Sequence, residues 1–318
     1  VRAPWGLQGC ACSSRQVDHL PAGRFRPSRQ ALPADALDGI PDTPGVYLFY
    51  GENDVPLYVG KSVRLRQRVL SHFNADHKLY KDMRLSQQLH RIDWRETAGE
   101  IGALLLEAQL VKDLQPVHNR LLRRQGDLCA WRLKEDAHGH ILPTLTFASE
   151  QDFGRADRLY GLFSSKRKAE STLRELAESH QLCLVQLGLE NRSGPNKPCF
   201  AWQLKRCKGV CCGREDASFH RARLEAALAN LHVRTWPYAG AVGLVETLGE
   251  RTDVHVVSNW CYLGTAHTED QVWSLLGDAP SRPAFDLDTY KILSKALVGT
   301  GSHVRSVSGL QIRPLNAA

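Results

Sequence analysis

The sequence predicts an α+β chain in three units: a small antiparallel sheet flanked by helices toward the N-terminus, a cysteine-rich middle region, and a small mixed α/β C-terminal module. Three observations carry this reading. Residues 46–61 hold two β-rich runs around the turn "GEND", a hairpin pattern that runs directly into helical periodicity. Five cysteines, Cys183, Cys199, Cys207, Cys211 and Cys212, crowd into one stretch of the middle region. Beyond it, β-type runs return between residues 240 and 266, "GAVGLVE" and "VHVVSNWCYLG", with helical patterns on either side.

Each element has a local cause. Residues 1–35, rich in Arg, Ser, Gly and Pro and without a continuous apolar segment, read as a disordered leader. After the hairpin, Leu65, Val69, Leu70 and Phe73 form the apolar stripe of a helix, with Lys61, Arg64, Arg68 and His72 spaced by three and four on its other face. A second helical pattern spans about residues 78–90, and "RIDWRET" reads as a strand. Thr97 and Glu100 have capping-box spacing before "IGALLLEAQLVKDL", a helix that Pro116 stops. Glu107 sits in that helix among Ala103, Leu104, Leu110 and Val111, where a carboxylate is poorly solvated and needs a cation or hydrogen bonds. From residue 130, "WRLKEDAHGHILPTLTFA" reads as a hairpin, "SKRKAESTLRELAESH" as an amphipathic helix, and "REDASFHRARLEAALANLH" as another helix. Thr268 and Gln271 cap a short helix, and "FDLDTYKIL" begins the last. The units divide as 36–129, 130–213 and 214–318.

Composition narrows the partner. A 318-residue chain with 42% hydrophobic and 24% charged residues is ordinary globular material, and no apolar run approaches the roughly 18 residues needed to cross a bilayer. No membrane partner is expected, and a cytoplasmic location is the default. The net charge of +7 favours a polyanion. In such a setting clustered cysteines point to metal before disulfides.

Gly60-Lys61-Ser62 invites a phosphate-loop reading, which fails. That loop needs a glycine five residues before the Gly-Lys pair, to wrap backbone N–H groups around phosphates. Val55 occupies the position, and Pro56 removes one N–H outright. A second reading starts from Tyr47 and Tyr58 on paired strands, with Lys61, Arg68 and His72 close behind. Cations raise the ionised fraction of a neighbouring tyrosine, which suits a general base for phosphodiester hydrolysis; taken singly, the two tyrosines read equally as half-buried strand residues.

Pro44-Gly45-Val46-Tyr47, Tyr58-Val59-Gly60-Lys61, Arg68 and "GALLLEAQLVKDLQPVHN", in this order and spacing, resemble the GIY-YIG nuclease domain of the UvrC-type excinucleases over about residues 40–125. The cysteine region extends the likeness to about residue 213, and the length resembles the short UvrC homologues. The resemblance implies that Tyr47 and Tyr58 are the two motif tyrosines, Lys61 the motif lysine, and Arg68 the helix arginine facing the scissile phosphate. It makes Glu107 the single carboxylate holding Mg²⁺ or Mn²⁺, and Asn119 the residue that closes the site. The implied reaction is in-line attack of a water activated by Tyr58. Val46 and Val59 replace the isoleucines of the motif name, a methylene each. The UvrC type usually has tyrosine at the position of His72, where some restriction enzymes of the superfamily have histidine; His72 relays a proton, contacts phosphate, or is a surface helix histidine.

Cys183, Cys199, Cys207 and Cys211 are separated by fifteen, seven and three residues, which is not the spacing of zinc ribbons or ferredoxins. By themselves they mark a possible metal site. The UvrC cysteine region shares the gaps of seven and three, and this likeness favours a [4Fe-4S] cluster over zinc or free thiols, with Cys212 as a spare. Arg64 and the loop cations Lys205, Arg206 and Lys208 are the DNA-binding candidates. The family implies metal-dependent incision of damaged double-stranded DNA marked by UvrB, on the 3′ side of the lesion. The rival readings are an autonomous nuclease of restriction or mobile-element type and a non-catalytic DNA-binding module.

Overall fold

The computed structural model describes residues 32–33, 35–73, 88–119, 127–136, 141–191, 194, 197–280, 284–298 and 310–315. Most of the expected leader and nearly all of the expected 78–90 helix lie outside these residues.

The first sheet has the order β2-β1-β3, from β1 (Gly45–Tyr50), β2 (Pro56–Ser62) and β3 (Arg91–Glu96), all antiparallel. Strand alternation sends Val46 and Leu48 to one face of β1, and Tyr47 and Phe49 to the other. The first pair packs with Val59 against Leu110 and Val111 of α2 (Glu100–Leu114). The second packs on Leu65 and Val69 of α1 (Leu65–Ser71). Both faces of β1 are therefore buried. Leu32 and Leu37 also pack on this core, so the folded unit begins inside the segment read as leader.

The middle unit is a sheet of order β5-β4-β6, from β4 (Cys129–Glu135), β5 (Ile141–Phe147) and β6 (Leu159–Phe163). Trp131 and Phe163 of this sheet pack with Leu173 of α3 (Lys166–Ser179) and with Leu224 and Leu228 of α5 (Ala217–Leu228). The middle core thus reaches past the expected boundary at 213. A single helical turn, α4 (Phe200–Gln203), lies in the cysteine segment between them.

The last unit is a sheet of order β10-β7-β8-β9, from β7 (Ala241–Leu248), β8 (Arg251–Ser258), β9 (Cys261–Ala266) and β10 (Gln311–Leu315), with helices α6 (Glu269–Gly277) and α7 (Leu287–Val298). Thr268 accepts the Gln271 N–H as the spacing predicts. This sheet buries Val242, Leu244, Val257 and Trp260 against Ile101 and Leu105 of α2. One helix is therefore shared by the cores of the first and last units. Among the described residues no helix is long and apolar enough to cross a membrane.

Candidate active site and cysteine centre

Two groups of side chains meet at β2. Tyr47 is opposite Gly60 and Phe49 opposite Tyr58 in the β1–β2 register, so Tyr58 shares a face with Tyr47. Tyr47 is 1% exposed, and its hydroxyl lies 2.9 Å from His72 Nε2. Arg68 and Tyr58 are also hydrogen-bonding neighbours of that hydroxyl. Burial first, and Tyr58 next, push the Tyr47 pKa well above the ordinary tyrosine value, with Arg68 opposing them. Tyr47 therefore stays protonated at neutral pH. Gly60 makes the arrangement possible, since a Cβ there would stand 2.5 Å from Tyr47 Cζ and 2.7 Å from Tyr58 Cε1. His72 is half-buried against the rings of Tyr47, Phe49 and Tyr58, which removes the surface-histidine reading.

The second group comes from the other face of β2 and from its outer edge, away from β1. Lys61 belongs to the strand, not to the helix stripe the spacing suggested, because α1 starts only at Leu65. Its Nζ is 3.0 Å from Glu100 Oε1, and its backbone N–H donates to the Glu107 carboxylate. Burial raises the Glu107 pKa against the pull of Lys61, and Asp288 of α7 adds to the rise. Two residues back on the same edge, Asn119 Nδ2 donates to Val59 O at 2.7 Å and its Oδ1 accepts the Val59 N–H at 2.9 Å. Asn119, only 8% exposed, thus braces the strand carrying Tyr58 and Gly60, where the sequence reading had it close the site. Arg64, read as a DNA contact, is the residue just before α1 and pairs with Asp42 at 2.9 Å.

The capping box expected from Thr97 and Glu100 does not form. Gly99 is the N-cap and offers no side chain, Thr97 Oγ1 donates to Gly99 O at 2.8 Å, and Glu100 faces Lys61. Glu100 belongs to the site, and the sequence contained a signal for it: residues 100, 103, 104 and 107 fall on one helical face.

In the middle unit the Sγ atoms of Cys183, Cys199, Cys207 and Cys211 all lie within 4.8 Å of one another, and all four residues are buried. Cys207 and burial raise the Cys183 thiol, and burial raises Cys199 to about 11, so these two thiols keep their protons unless a cation takes them as thiolates. Two N–H groups already point at sulfur: Cys199 N–H to Cys211 Sγ at 3.4 Å and Gly209 N–H to Cys207 Sγ at 3.3 Å. Four buried sulfurs with amide donors fit a tetrahedral thiolate centre. Cys212, the spare, turns its Sγ to Gly209 O instead. Lys205, Arg206 and Lys208 are exposed around this knot, with Arg206 held 3.1 Å from Glu178.

Comparison with known proteins follows the same three units. Residues 43–120 match the profile of the UvrC-like GIY-YIG domain, 128–230 the UvrC/Cho excinuclease middle domain, and 241–318 the excinuclease Cho C-terminal domain. The chain is 44% identical over 264 residues to excinuclease cho of Escherichia coli K12, covering 82% of this chain and 85% of that protein. It is 30% identical over 193 residues to UvrABC system protein C of Flavobacterium psychrophilum, covering 60% of this chain and 31% of that protein. The magnesium-bound GIY-YIG N-terminal endonuclease domain of UvrC from Thermotoga maritima covers 27% of this chain and 92% of its own at 32% identity, with a TM-score of 0.25.

Proposed function

We propose that this chain, which belongs to the UvrC-type GIY-YIG excinucleases and is close to Cho, is a metal-dependent DNA endonuclease that makes one incision on the 3′ side of a lesion in UvrB-bound DNA. The observation that carries the reading is Glu107, a half-buried carboxylate held by the Lys61 backbone N–H on β2, the strand that also carries Tyr58 of the Tyr47, Tyr58, Arg68 and His72 group.

The residues divide the work by exposure. Tyr58 is half-exposed and can reach a water at the surface, whereas Tyr47 is buried and protonated. Tyr58 is thus the general base, and Tyr47 holds His72 and Arg68 in place. Arg68 is exposed and stabilises charge developing on the phosphate; Lys61 does the same when DNA draws it from Glu100. His72 Nε2 is tied to the Tyr47 hydroxyl, which fixes the orientation of the imidazole that contacts the phosphate or passes a proton. Asn119 fixes β2, and with it the spacing of Tyr58 and Lys61.

Glu107 suits a divalent cation: a buried carboxylate with a raised pKa gains most from a positive charge, and one carboxylate leaves the remaining coordination to water and DNA phosphate. Mg²⁺ or Mn²⁺ bound there would supply Lewis-acid stabilisation of the leaving 3′ oxygen. Cys183, Cys199, Cys207 and Cys211 would hold a [4Fe-4S] cluster that shapes the loop presenting Lys205, Arg206 and Lys208 to DNA. Arg64 adds an outer phosphate contact once it leaves Asp42.

The test is a nicking assay on a lesion-bearing duplex with and without UvrB. Cleavage should be 3′ to the lesion, require UvrB and Mg²⁺, and vanish in Glu107→Gln while DNA binding persists. Cutting that ignores UvrB would make the protein an autonomous nuclease, and binding without any metal-dependent cutting would make it a DNA-binding module.

A further inference from the structure

Helix α2 carries Glu107, yet its first turn receives no cap from its own unit: Gly99 is the N-cap and contributes no side chain. The orphan N–H groups of a helix start need acceptors. They find them 144 and 145 residues away, in the C-terminal module. Glu246 of β7, 4% exposed, accepts the Ile101 N–H on Oε1 at 2.9 Å and the Gly102 N–H on Oε2 at 2.7 Å. Asp253 of β8, 1% exposed, accepts the Ala98 N–H at 2.8 Å. Burial disfavours the Glu246 charge, but His255 and the two amides outweigh it and hold the carboxyl below the usual range.

Glu246 is fixed in turn. His255, fully buried, places Nε2 3.0 Å from Glu246 Oε2 and Nδ1 2.8 Å from Thr265 Oγ1. The approach is so close that a Cβ on Gly99 would stand 2.2 Å from Glu246 Oε1, and one on Gly102 2.8 Å from His255 Cε1. Toward the far end of the helix, Lys112 Nζ is 2.5 Å from Asp286 Oδ2, again from the C-terminal module. Ile101 and Leu105 bury their side chains in the same module.

We infer that Glu246 is a positioning residue for the nuclease reaction: the C-terminal module grips α2 through Glu246, backed by His255, and thereby sets where Glu107 stands along β2. The inference rests on the metal-binding role proposed for Glu107. Glu107 lies five residues beyond Gly102, about 7.5 Å along a stiff helix, so a slip at the first turn reaches the carboxylate undiminished. The site tolerates little slip, because a displacement of about 1 Å can cost on the order of a hundredfold in rate.

The test substitutes Glu246→Gln in the full chain. The amide is isosteric and its oxygen keeps one N–H acceptor. Its NH₂ can donate to His255 Nε2, but it leaves the Gly102 N–H facing another donor and removes the negative charge at the helix start. Mn²⁺ affinity is read by electron paramagnetic resonance, with Glu107→Gln as the baseline, beside hydrogen exchange at Ile101 and Gly102 and single-turnover nicking. The expected result is faster exchange at both amides, roughly tenfold weaker Mn²⁺ binding and a matching loss of rate at limiting metal, with DNA affinity unchanged. Wild-type Mn²⁺ affinity and rate despite deprotected amides would overturn the inference. Mn²⁺ binding that survives in Glu107→Gln would instead overturn the metal role of Glu107. Should Glu246→Gln not fold, Gly102→Ala, which pushes on His255 and keeps the charge, must weaken Mn²⁺ in the same direction, and an unchanged affinity there refutes the grip.

Discussion

Replacing Gly60 with alanine should disable the enzyme without disturbing its hold on DNA. The added Cβ would sit 2.5 Å from both Cζ and the hydroxyl oxygen of Tyr47, where ordinary contact needs about 3.5 Å. The ring must retreat by about 1 Å, and it has no free space to enter: Tyr47 is 1% exposed, with the Phe49, Tyr58 and His72 ring centroids at 5.1, 6.0 and 5.6 Å. Overpacking of this kind costs about 1–3 kcal/mol of stability. The same shift breaks the 2.9 Å bond to His72 and moves Arg68, so the rate should fall on the order of a hundredfold, about 2.7 kcal/mol in the barrier. Lys61, Arg64 and Arg68 keep their charges, and DNA affinity should stay within about twofold. Single-turnover nicking of a UvrB-loaded lesion duplex, beside DNA binding and thermal melting, measures the three effects together. A folded Gly60→Ala protein that cuts at the wild-type rate would refute the placement of Tyr47 as an organiser of the site.

The remaining predictions follow from single contacts. Asn119→Ala strips partners from the buried Val59 N–H and C=O, so melting should show a loss of about 2 kcal/mol or more, and nicking should fall further than DNA affinity. Because the Glu107 pKa is raised, its proton is retained to a higher pH than on an ordinary carboxyl; metal binding is complete above that pKa and lost as pH falls through it. The acid limb of the pH–rate profile should therefore lie above about 4.3, move lower with added Mg²⁺, and move lower in Asp288→Asn, which removes a charge that raises Glu107. Cys211→Ser should abolish bound iron and visible absorbance in anaerobically purified protein, whereas Cys212→Ser should retain both, since only Cys211 turns its sulfur toward the other three.

The legible parts of the sequence are those whose causes are local. The tight turn between β1 and β2 set the hairpin, and the hairpin register placed Tyr47 opposite Gly60 and on the face of Tyr58. The Thr268 cap was readable because donor and acceptor lie three residues apart. The same rule failed at α2, where Thr97 and Glu100 have the right spacing but carboxylates from another unit answer the amides. No periodicity near residue 100 announces Glu246. Strand β6 escaped notice because its five residues, LYGLF, are apolar or aromatic around Gly161, so no apolar–polar alternation marks the strand although its burial alternates. The cysteine set was legible as a cluster, but which of Cys211 and Cys212 belongs to it depended on the turn of Gly209 and Gly213, both at positive φ.

The placement of the two tyrosines shows how burial decides roles that residue type leaves equal. An ordinary tyrosine is ionised in about one molecule in a thousand at neutral pH. Burial takes Tyr47 below even that, so its hydroxyl serves as a fixed hydrogen-bonding post for His72 and Arg68. Tyr58 stands at the half-exposed end of the same ring cluster, on the strand whose next residues supply Gly60 for clearance and Lys61 for charge. Its strand is held at the outer edge by Asn119 and by Glu107, which binds the Lys61 N–H. The carboxylate and the tyrosine are thus tied to one piece of backbone, residues 58–61, and anything that moves α2 along β2 changes their separation. That is why a buried glutamate in the C-terminal module can bear on a reaction whose reacting groups all lie in the N-terminal unit.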